Sequence, residues 1–410
     1  MHRHAMIGKM TRPIAKFVLT VALLAGAAPP VFAASCRSNQ TFDRWTAEVS
    51  REAMAKGVSQ RTLAAAQPYF VYDQSIVNKD RGQGVFTQSF LQFSDRMAAG
   101  YRIQRGAALI KQHGALFARI ERQYGVPAAP IVAFWGLETD FGANMGNLPT
   151  LRSVVSLAYD CRRPELFREQ VIAALRIIER GDLRADQMLG PWAGELGQFQ
   201  FLPAHYFDYA VDFDGDGRRD LLHSTPDALG SAGNFLAQLG WRRGEPWLQE
   251  VRVPADMPWD QADLAIQHPR SQWGRYGMTF ADGRPLPADN LPASLLLPMG
   301  RYGPAFLAFE NFQVLLKWNQ SLVYTTTVGY LANRITGAPP VSRGRAGIPS
   351  LSAREIFELQ RLLTARGYDA GKVDGKLGLG TRAAVKKAQL RLGMPADSYP
   401  TADLIERLRR

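Results

Sequence analysis

The chain of 410 residues has only two cysteines, no long apolar run after its N-terminus, and no signature of a nucleic-acid-binding module. No later stretch approaches the roughly 20 apolar residues of a transmembrane helix, which excludes such a helix from the mature chain. The Cys and His spacing of a zinc finger is absent, as is an RNP-like segment. The sequence therefore predicts no nucleic-acid partner.

The N-terminus has the pattern of a secretory signal peptide. A basic lead ends at Lys16, residues 17–25 form a short apolar core, and residues 31–33 resemble a signal-peptidase site. We therefore expect cleavage after Ala33 and an exported, periplasmic mature chain.

The two cysteines are Cys36 and Cys161. In an oxidising compartment, two cysteines more often form a bridge than stay free, so we favour a Cys36–Cys161 disulfide. Residues 33–36 also resemble the box that precedes a lipidated cysteine, but they lack the usual leucine three positions before it. Lipid anchoring through Cys36 is the weaker alternative.

The composition is that of a folded protein with a basic surface. Hydrophobic residues make up 46% and charged residues 21% of the chain, and the formal net charge is +12. A basic surface attracts polyanions. For an exported chain, an anionic polymer of the cell envelope fits this charge better than nucleic acid does.

The chain divides into a large unit and a small one. Residues 337–344 are rich in proline, glycine and serine, which is typical of a linker. We place the signal peptide at 1–33, the large unit at 34–335, the linker at 336–350 and the small unit at 351–410. About sixty residues are enough for a compact three-helix module.

Hydrophobic periodicity predicts a mainly α-helical large unit. Helices are expected over residues 42–66 and 91–124, followed by an apolar helix that begins near residue 128. A proline-rich segment from about 241 to 305 is mixed. The predicted fold class is therefore mainly α with an α+β large unit, followed by a small three-helix domain.

One carboxyl group stands among aromatic residues at the end of the apolar helix. Glu138 follows Phe134 and Trp135 and precedes Phe141, and we expect the helix to stop at Gly142. Burial beside aromatic rings raises the pKa of a carboxyl group, as a general acid working near neutral pH requires. Because an isolated glutamate more often caps a helix or forms an ion pair, the assignment depends on the other segments.

Two further segments carry a chemical pattern. Residues 190–203 interleave glycines, aromatic residues and amides, which suits a carbohydrate groove and equally a tight structural turn. Residues 212–218 place acids at positions 1, 3 and 5 and glycine at position 6 of a calcium-loop pattern. Position 12 is His223, and Asp227 supplies the missing carboxylate if the loop is longer. An acidic surface turn is the alternative.

Together these segments resemble the lytic murein transglycosylase B family over residues 42–334. The matching landmarks are Trp135 to Gly142, Leu157 to Arg163, Trp192 to Gly194, Gly197 to Phe201, Ala210 to Gly217, and Asn311 to Asn319. The last sixty residues separately resemble a peptidoglycan-binding module, through Leu359-Gln360, Gly367-Tyr368, Val373 to Gly375, Gly378, and Gly380 to Val385. Both resemblances indicate peptidoglycan as the polymer that the chain binds.

The first resemblance implies a lysozyme-like domain that cleaves the β-1,4 bond between N-acetylmuramic acid and N-acetylglucosamine without water. The product carries a 1,6-anhydromuramyl end, and no cofactor takes part in the chemistry. Glu138 matches the family's single acid, which protonates the glycosidic oxygen and then takes the proton of the muramyl O6 hydroxyl. Asp140, two residues away, is interpreted as structural.

The resemblance also implies a set of binding residues. The implied substrate-binding residues are Gln200, Trp318, Asn319 and Tyr324, and the implied ligands of a structural calcium ion are Asp212, Asp214, Asp216, the Arg218 carbonyl and Asp227. Peptidoglycan glycan strands are the expected partner. Cell-wall synthesis, division or secretion machinery is a further class of partner that the sequence does not identify.

The chain departs from the family in the proposed groove. Pro191 replaces a common serine, Glu195-Leu196 replaces a common Ala-Met pair, and Trp318 replaces a common tyrosine. A second acid at Glu195 would favour a hydrolytic muramidase, but we expect this residue to be an exposed loop residue. An inactive peptidoglycan-binding scaffold is the rival from another class, and a calcium-binding structural protein is the weakest candidate.

Overall fold

The computed structural model describes residues 35–82, 88–345, 348 and 350–410, so the predicted signal peptide lies outside the described residues. The α-helices are α1 Phe42–Ala55, α2 Gln60–Ala66, α3 Gln74–Arg81, α4 Phe90–Met97, α5 Gly100–Gln112, α6 Gly114–Tyr124, α7 Ala128–Thr139, α8 Thr150–Tyr159, α9 Pro164–Arg180, α10 Pro203–Tyr209, α11 Thr225–Gln238, α12 Arg270–Arg275, α13 Glu310–Trp318, α14 Leu322–Ile335, α15 Ala353–Ala365, α16 Leu379–Arg391 and α17 Ala402–Arg409. The strands are β1 Leu148–Pro149, β2 Leu189–Gly190, β3 Leu248–Arg252, β4 His268–Pro269, β5 Thr279–Phe280, β6 Pro292–Leu296 and β7 Ala305–Ala308. None of the described helices is long and apolar enough to cross a membrane.

Helical periodicity identified the helical regions but missed their breaks. The region predicted as one helix over 42–66 is two helices, because Gly57 takes a φ of 89° and Ser59 caps the start of α2. The region predicted as helical over 91–124 is three helices, α4 to α6. The mainly α-helical fold class is confirmed.

The mixed middle of the chain forms a five-stranded antiparallel sheet. Its strand order is β4-β6-β7-β3-β5, and the central strands β6 and β7 are almost entirely buried. Residues of β3, β6 and β7 pack with Trp273 into a core of their own. This sheet is the β part of the predicted α+β unit.

The apolar helix α7 is at the centre of the α-helical part. Ten of its twelve residues are buried, and it packs against α5, α6, α11 and α14. A helix that is apolar on every side is stable in water only when neighbours cover it on every side. The arrangement places Glu138 in the last turn, where the core meets the surface.

The end of α7 comes earlier than the glycine at residue 142 indicates. The helix ends at Thr139, because Asp140 and Phe141 already adopt left-handed φ values of 52° and 62°. The Thr139 hydroxyl accepts a hydrogen bond from the Gly142 N–H at 2.8 Å and donates one to the Gln198 carbonyl at 2.7 Å. Asp140 itself accepts hydrogen bonds from Tyr101 and Arg102, away from the Glu138 carboxyl.

The last three helices, α15 to α17, form the predicted three-helix module and pack against the sheet region. The buried Arg382 donates to the Leu297 carbonyl at 3.1 Å and also to the Pro298 carbonyl. Lys386 forms an ion pair with Asp263 at 3.0 Å. Hydrogen bonds to fixed backbone carbonyls hold the module in one orientation.

The predicted disulfide between Cys36 and Cys161 is present. It joins the start of the described chain to the segment that follows α8. A sulfur in a disulfide carries no thioether lipid, so the bonded form of Cys36 is not compatible with lipid anchoring through that residue.

Candidate active site

A groove of about 380 Å³ lies at the end of α7. Its lining residues are Glu138, Pro191, Trp192, Glu195, Gln200, Phe201, Leu202, His205, Phe235, Trp318 and Asn319. The structure therefore brings Glu138 together with three of the four predicted substrate-binding residues, Gln200, Trp318 and Asn319. The fourth, Tyr324, is not among the lining residues and contacts Glu138 from α14.

The Glu138 carboxyl is half-buried, and its Oε1 atom accepts a hydrogen bond from the Tyr324 hydroxyl. Burial raises the pKa of Glu138 to about 7, and the nearby Glu195 charge acts in the same direction. Hydrogen bonds from the Tyr324 and Trp318 side chains favour the charged form and oppose the rise. Near neutral pH the group is therefore able both to donate and to accept a proton.

The Tyr324 hydroxyl is held as a donor. Burial and the neighbouring Glu138 both raise the pKa of Tyr324, so its proton stays on the oxygen over the physiological range. As a donor it stabilises the Glu138 carboxylate more than the carboxylic acid.

Aromatic rings form one wall of the groove. Trp318 stacks on Phe134 with ring centroids 4.2 Å apart and planes 18° from parallel. It also contacts Phe201 and Phe235 at 5.3 and 5.0 Å. The packing fixes the half-buried indole at the groove, where a flat apolar face suits the C–H face of a sugar ring.

The sequence left two interpretations of residues 190–203, a tight structural turn and a wall of the groove. The segment forms a tight turn that also lines the groove. Gly190 permits close backbone approach, since a Cβ there would lie 1.9 Å from the Glu195 carbonyl oxygen. Two backbone hydrogen bonds of 2.8 and 3.0 Å then join Leu196 and Phe201 across the turn. The loop is consequently rigid where it meets the groove.

Gln200 has an uncommon backbone conformation. Its φ is 51°, a left-handed value that occurs mainly where a fold constrains a residue and that clusters at functional sites. Its amide nitrogen donates to the Gly197 carbonyl at 2.9 Å, so the amide oxygen is the atom left for a ligand.

Asn319 terminates α13 beside Trp318. Its side-chain oxygen accepts a hydrogen bond from the Ser321 N–H at 2.9 Å, and its carbonyl accepts one from Thr325 at 2.6 Å. The side-chain amide is held by the helix connection, and its NH₂ group is the part available to a substrate.

The structure corrects the expectation for Glu195. This residue is half-buried and lines the groove with Glu138. Burial raises the pKa of Glu195, and its Oε2 atom is buried without a hydrogen-bond partner among the described residues. The loop position of Glu195 suggested an exposed side chain. The burial of Glu195 arises from the turn over residues 190–201, which the sequence does not reveal.

Two further lining residues, His205 and Phe235, were not predicted. Their rings lie 4.9 Å apart where α10 meets α11. Burial lowers the pKa of His205, which favours the neutral ring. The available signal for His205 was its position two residues after the glycine-rich segment 190–203. Packing between two helices, which places both rings at the groove, is not readable from local pattern.

The carboxylates of the acidic loop lie close together, as the ligands of a metal ion do. The carboxylates of Asp212, Asp214, Asp216 and Asp227 each offer an oxygen within 4.8 Å of the others. Asp212 accepts hydrogen bonds from three backbone N–H groups of the loop, and the Arg218 N–H donates to Asp216 at 2.8 Å. Four hard carboxylate oxygens suit Ca²⁺, and none of these acids lines the groove.

Comparisons with known proteins agree with this geometry. The family description "Transglycosylase SLT domain" matches residues 41–333, and a peptidoglycan binding domain matches residues 352–408. The chain is similar to membrane-bound lytic murein transglycosylase B of Escherichia coli strain K12, with 28% identity over 250 residues, 60% of this chain and 67% of that protein.

Two solved structures extend the similarity. SltB3 from Pseudomonas aeruginosa, in complex with NAG-anhNAM-pentapeptide, is 41% identical with a TM-score of 0.84, covering 91% of this chain and 100% of that chain. The Escherichia coli lytic transglycosylase Slt35, in complex with calcium, is 25% identical with a TM-score of 0.60, covering 71% of this chain and 92% of that chain.

Proposed function

The chain belongs to the transglycosylase SLT domain family and is a lytic murein transglycosylase, and we propose that Glu138 is its single acid and base. In this proposal the enzyme cleaves the β-1,4 bond between N-acetylmuramic acid and N-acetylglucosamine in peptidoglycan without water. The product is a 1,6-anhydromuramyl end.

The observation that carries the proposal is the half-buried Glu138 carboxyl, whose pKa is raised to about 7 by burial. Protonated Glu138 donates its proton to the glycosidic oxygen as the bond from that oxygen to the muramyl C1 breaks. The resulting carboxylate then takes the proton of the muramyl O6 hydroxyl as O6 bonds to C1. The proton returns to Glu138, so no water is consumed and one group performs both transfers.

Tyr324 supports the second half of this cycle. Its hydrogen bond to Glu138 strengthens when the carboxylate forms, which stabilises the charge that appears after the first proton transfer. Trp318 and Gln200 would contact the sugars beside the bond, one through its ring face and the other through its amide oxygen.

Hydrolysis is the second candidate, and Glu195 is the observation that favours it. Ordinary glycosidases use two carboxyl groups, and Glu195 lines the same groove as Glu138. Against hydrolysis, Glu195 stands where the family commonly has alanine, so the reaction of the family does not depend on a carboxyl group at this position. The transglycosylase reaction requires no such second base.

The substrate assignment rests on three observations besides the groove. The match to a peptidoglycan binding domain over residues 352–408 gives the chain a second wall-binding unit, and SltB3 is described in complex with a NAG-anhNAM-pentapeptide. The net charge of +12 favours an anionic envelope polymer. Export to the periplasm, through the predicted signal peptide, would bring the enzyme to this substrate.

The acidic loop would hold a structural calcium ion. Its donor set is four carboxylates that already converge within 4.8 Å, and Slt35 is described in complex with calcium. Bound there, the ion would neutralise the clustered negative charge and would take no part in the reaction.

The test is mass spectrometry of muropeptides released from purified sacculi. We expect anhydromuropeptides from the mature wild-type protein and from Glu121→Gln, a control that changes an exposed acid on α6. Glu138→Gln should release none while remaining folded, with a melting temperature no lower than that of the wild type. Reducing-end muropeptides from the wild type would establish hydrolysis instead, and intact binding without release would establish a scaffold.

A further inference from the structure

We propose that Glu195 is a substrate-binding residue of the groove, where its carboxyl accepts a hydrogen bond from an N–H or O–H group of an N-acetylated amino sugar. The inference rests on the proposed function, since it places a glycan in this groove. It concerns a residue that stands where the family commonly has alanine.

The backbone around Glu195 is fixed at the groove wall. Gly190 packs directly against the Glu195 carbonyl, and the next residue, Leu196, is hydrogen-bonded across the turn to Phe201. A hydrogen bond from the Gly194 N–H to the Pro191 carbonyl closes the preceding turn at 3.1 Å. The carboxyl group is thus held beside the ligand space and is not a mobile surface group.

Within the part of the chain that the structure describes, one oxygen of the Glu195 carboxyl is buried without a hydrogen-bond donor. Its Oε2 atom is buried and accepts no hydrogen bond among the described residues. Among the described residues, the carboxyl interacts with the backbone N–H of Glu195 itself and with the charge of Arg163, which is already in an ion pair with Asp80. A buried oxygen without a partner costs free energy, and a ligand that supplies a donor recovers it.

A glycan of N-acetylated sugars supplies that donor. Each sugar carries hydroxyl groups and an acetamido N–H, and an ionised carboxylate is an acceptor only. Trp192 lines the same groove beside Glu195, so an apolar face and an acceptor lie together. This pairing of stacking and hydrogen bonding is the recognition that a sugar ring requires.

Glu195 also acts on Glu138 through charge. The groups that act on the Glu138 carboxyl are Tyr324 on α14, Trp318 on α13 and Glu195 on the loop. Of these, Glu195 raises the pKa of Glu138, so its charge favours the protonated acid. Removal of that charge should lower the pKa of Glu138, and the high-pH limb of kcat/KM should then move to lower pH.

The test separates binding from catalysis. A tetrasaccharide of alternating GlcNAc and peptide-bearing MurNAc is titrated calorimetrically into Glu138→Gln, which cannot turn it over, and into the same variant with Glu195→Ala added. A hydrogen bond to a charged group predicts a dissociation constant about ten to one hundred times larger for the double variant. Its melting temperature should stay the same or rise, since an unpartnered buried carboxyl is removed.

Glu195→Gln, with nearly the same shape, serves as the matched variant in the active background. It should still yield anhydromuropeptides, with a raised KM and with the high-pH limb displaced to lower pH. Equal affinity of the single and double variants would overturn the proposal, as would a fall in melting temperature that accounts for the lost affinity. Loss of all product in Glu195→Gln, with binding intact, would assign Glu195 to the chemistry and also overturn it. Failure of Glu138→Gln to bind the glycan at all would instead count against the proposed function.

Discussion

Glu138 is expected to be held at a cost to stability, and the cost can be calculated. The pKa of Glu138 is about 7 in the folded protein, against an ordinary value of 4.5. By linkage, this difference makes ionised Glu138 destabilising by about 3 kcal/mol once the pH exceeds both values. Glu138→Gln removes the charge while keeping the shape, so it should be more stable than the wild type by about 3 kcal/mol at pH 8.

The pH dependence gives the sign. Below pH 4.5 Glu138 is protonated in both the folded and the unfolded protein, so it does not affect the free energy of unfolding. As the pH rises towards 7, the unfolded protein loses this proton first, and the free energy of unfolding of the wild type falls. The variant and the wild type should therefore have equal stability at pH 4, and the difference should grow up to about pH 7 and then level off. With an unfolding entropy of roughly 2 cal/mol/K per residue, the variant's Tm at pH 8 should be about 4 °C higher.

Thermal melts of both proteins from pH 4 to pH 9 make the measurement. The control is Glu358→Gln, since Glu358 is a surface acid whose pKa is lowered by its hydrogen bond to Arg409. This control should show no gain in stability at pH 8. A Glu138→Gln variant that is less stable than the wild type at pH 8, or a gain that is independent of pH, would refute the argument that burial raises this pKa.

Three other predictions concern the same molecule. Tyr324→Phe removes a hydrogen bond to the charged form of Glu138, so the high-pH limb of kcat/KM should move up by about one to two pH units; an unmoved limb would contradict that role. A calcium chelator should lower the Tm of the wild type by several degrees and leave Asp216→Asn unaffected, and an equal response of both would contradict a calcium site there. Replacing Cys36 and Cys161 by serine should cost about 4–5 kcal/mol of stability, because the bridge closes a separation of 125 residues, and reductant should lower the Tm of the wild type alone.

Much of the architecture could be predicted from local pattern. The helix that carries Glu138 is readable because its apolar residues leave no polar face, and such a helix is stable only inside a core. The acidic loop over residues 212–218 is readable because its ligands are neighbours in sequence. The first helix of the C-terminal module is readable from the helical spacing of its apolar residues, such as Ile356, Leu359 and Leu363.

The chemistry of the groove was decided by contacts between distant parts of the chain. Tyr324 lies 186 residues from Glu138 and yet donates a hydrogen bond to it, because α14 packs along α7. No periodicity reports which hydroxyl will meet which carboxyl across a core. The resemblance to a family supplied Tyr324 as a groove residue, but its contact with the acid required the tertiary structure.

The burial of Glu195 and the docking of Arg382 show the same limit. Sequence places Glu195 on a glycine-rich loop, where exposure is the ordinary state, and only the turn that joins Leu196 to Phe201 directs it into the groove. Arg382 lies in a helix of the small module, and its partners are backbone carbonyls about 85 residues earlier, which carry no side-chain signal. Local sequence determined the elements and the identity of the acid, because these depend on neighbours in the chain. The tertiary structure decided the acid's pKa and its partners, because these depend on which surfaces the folded core brings together.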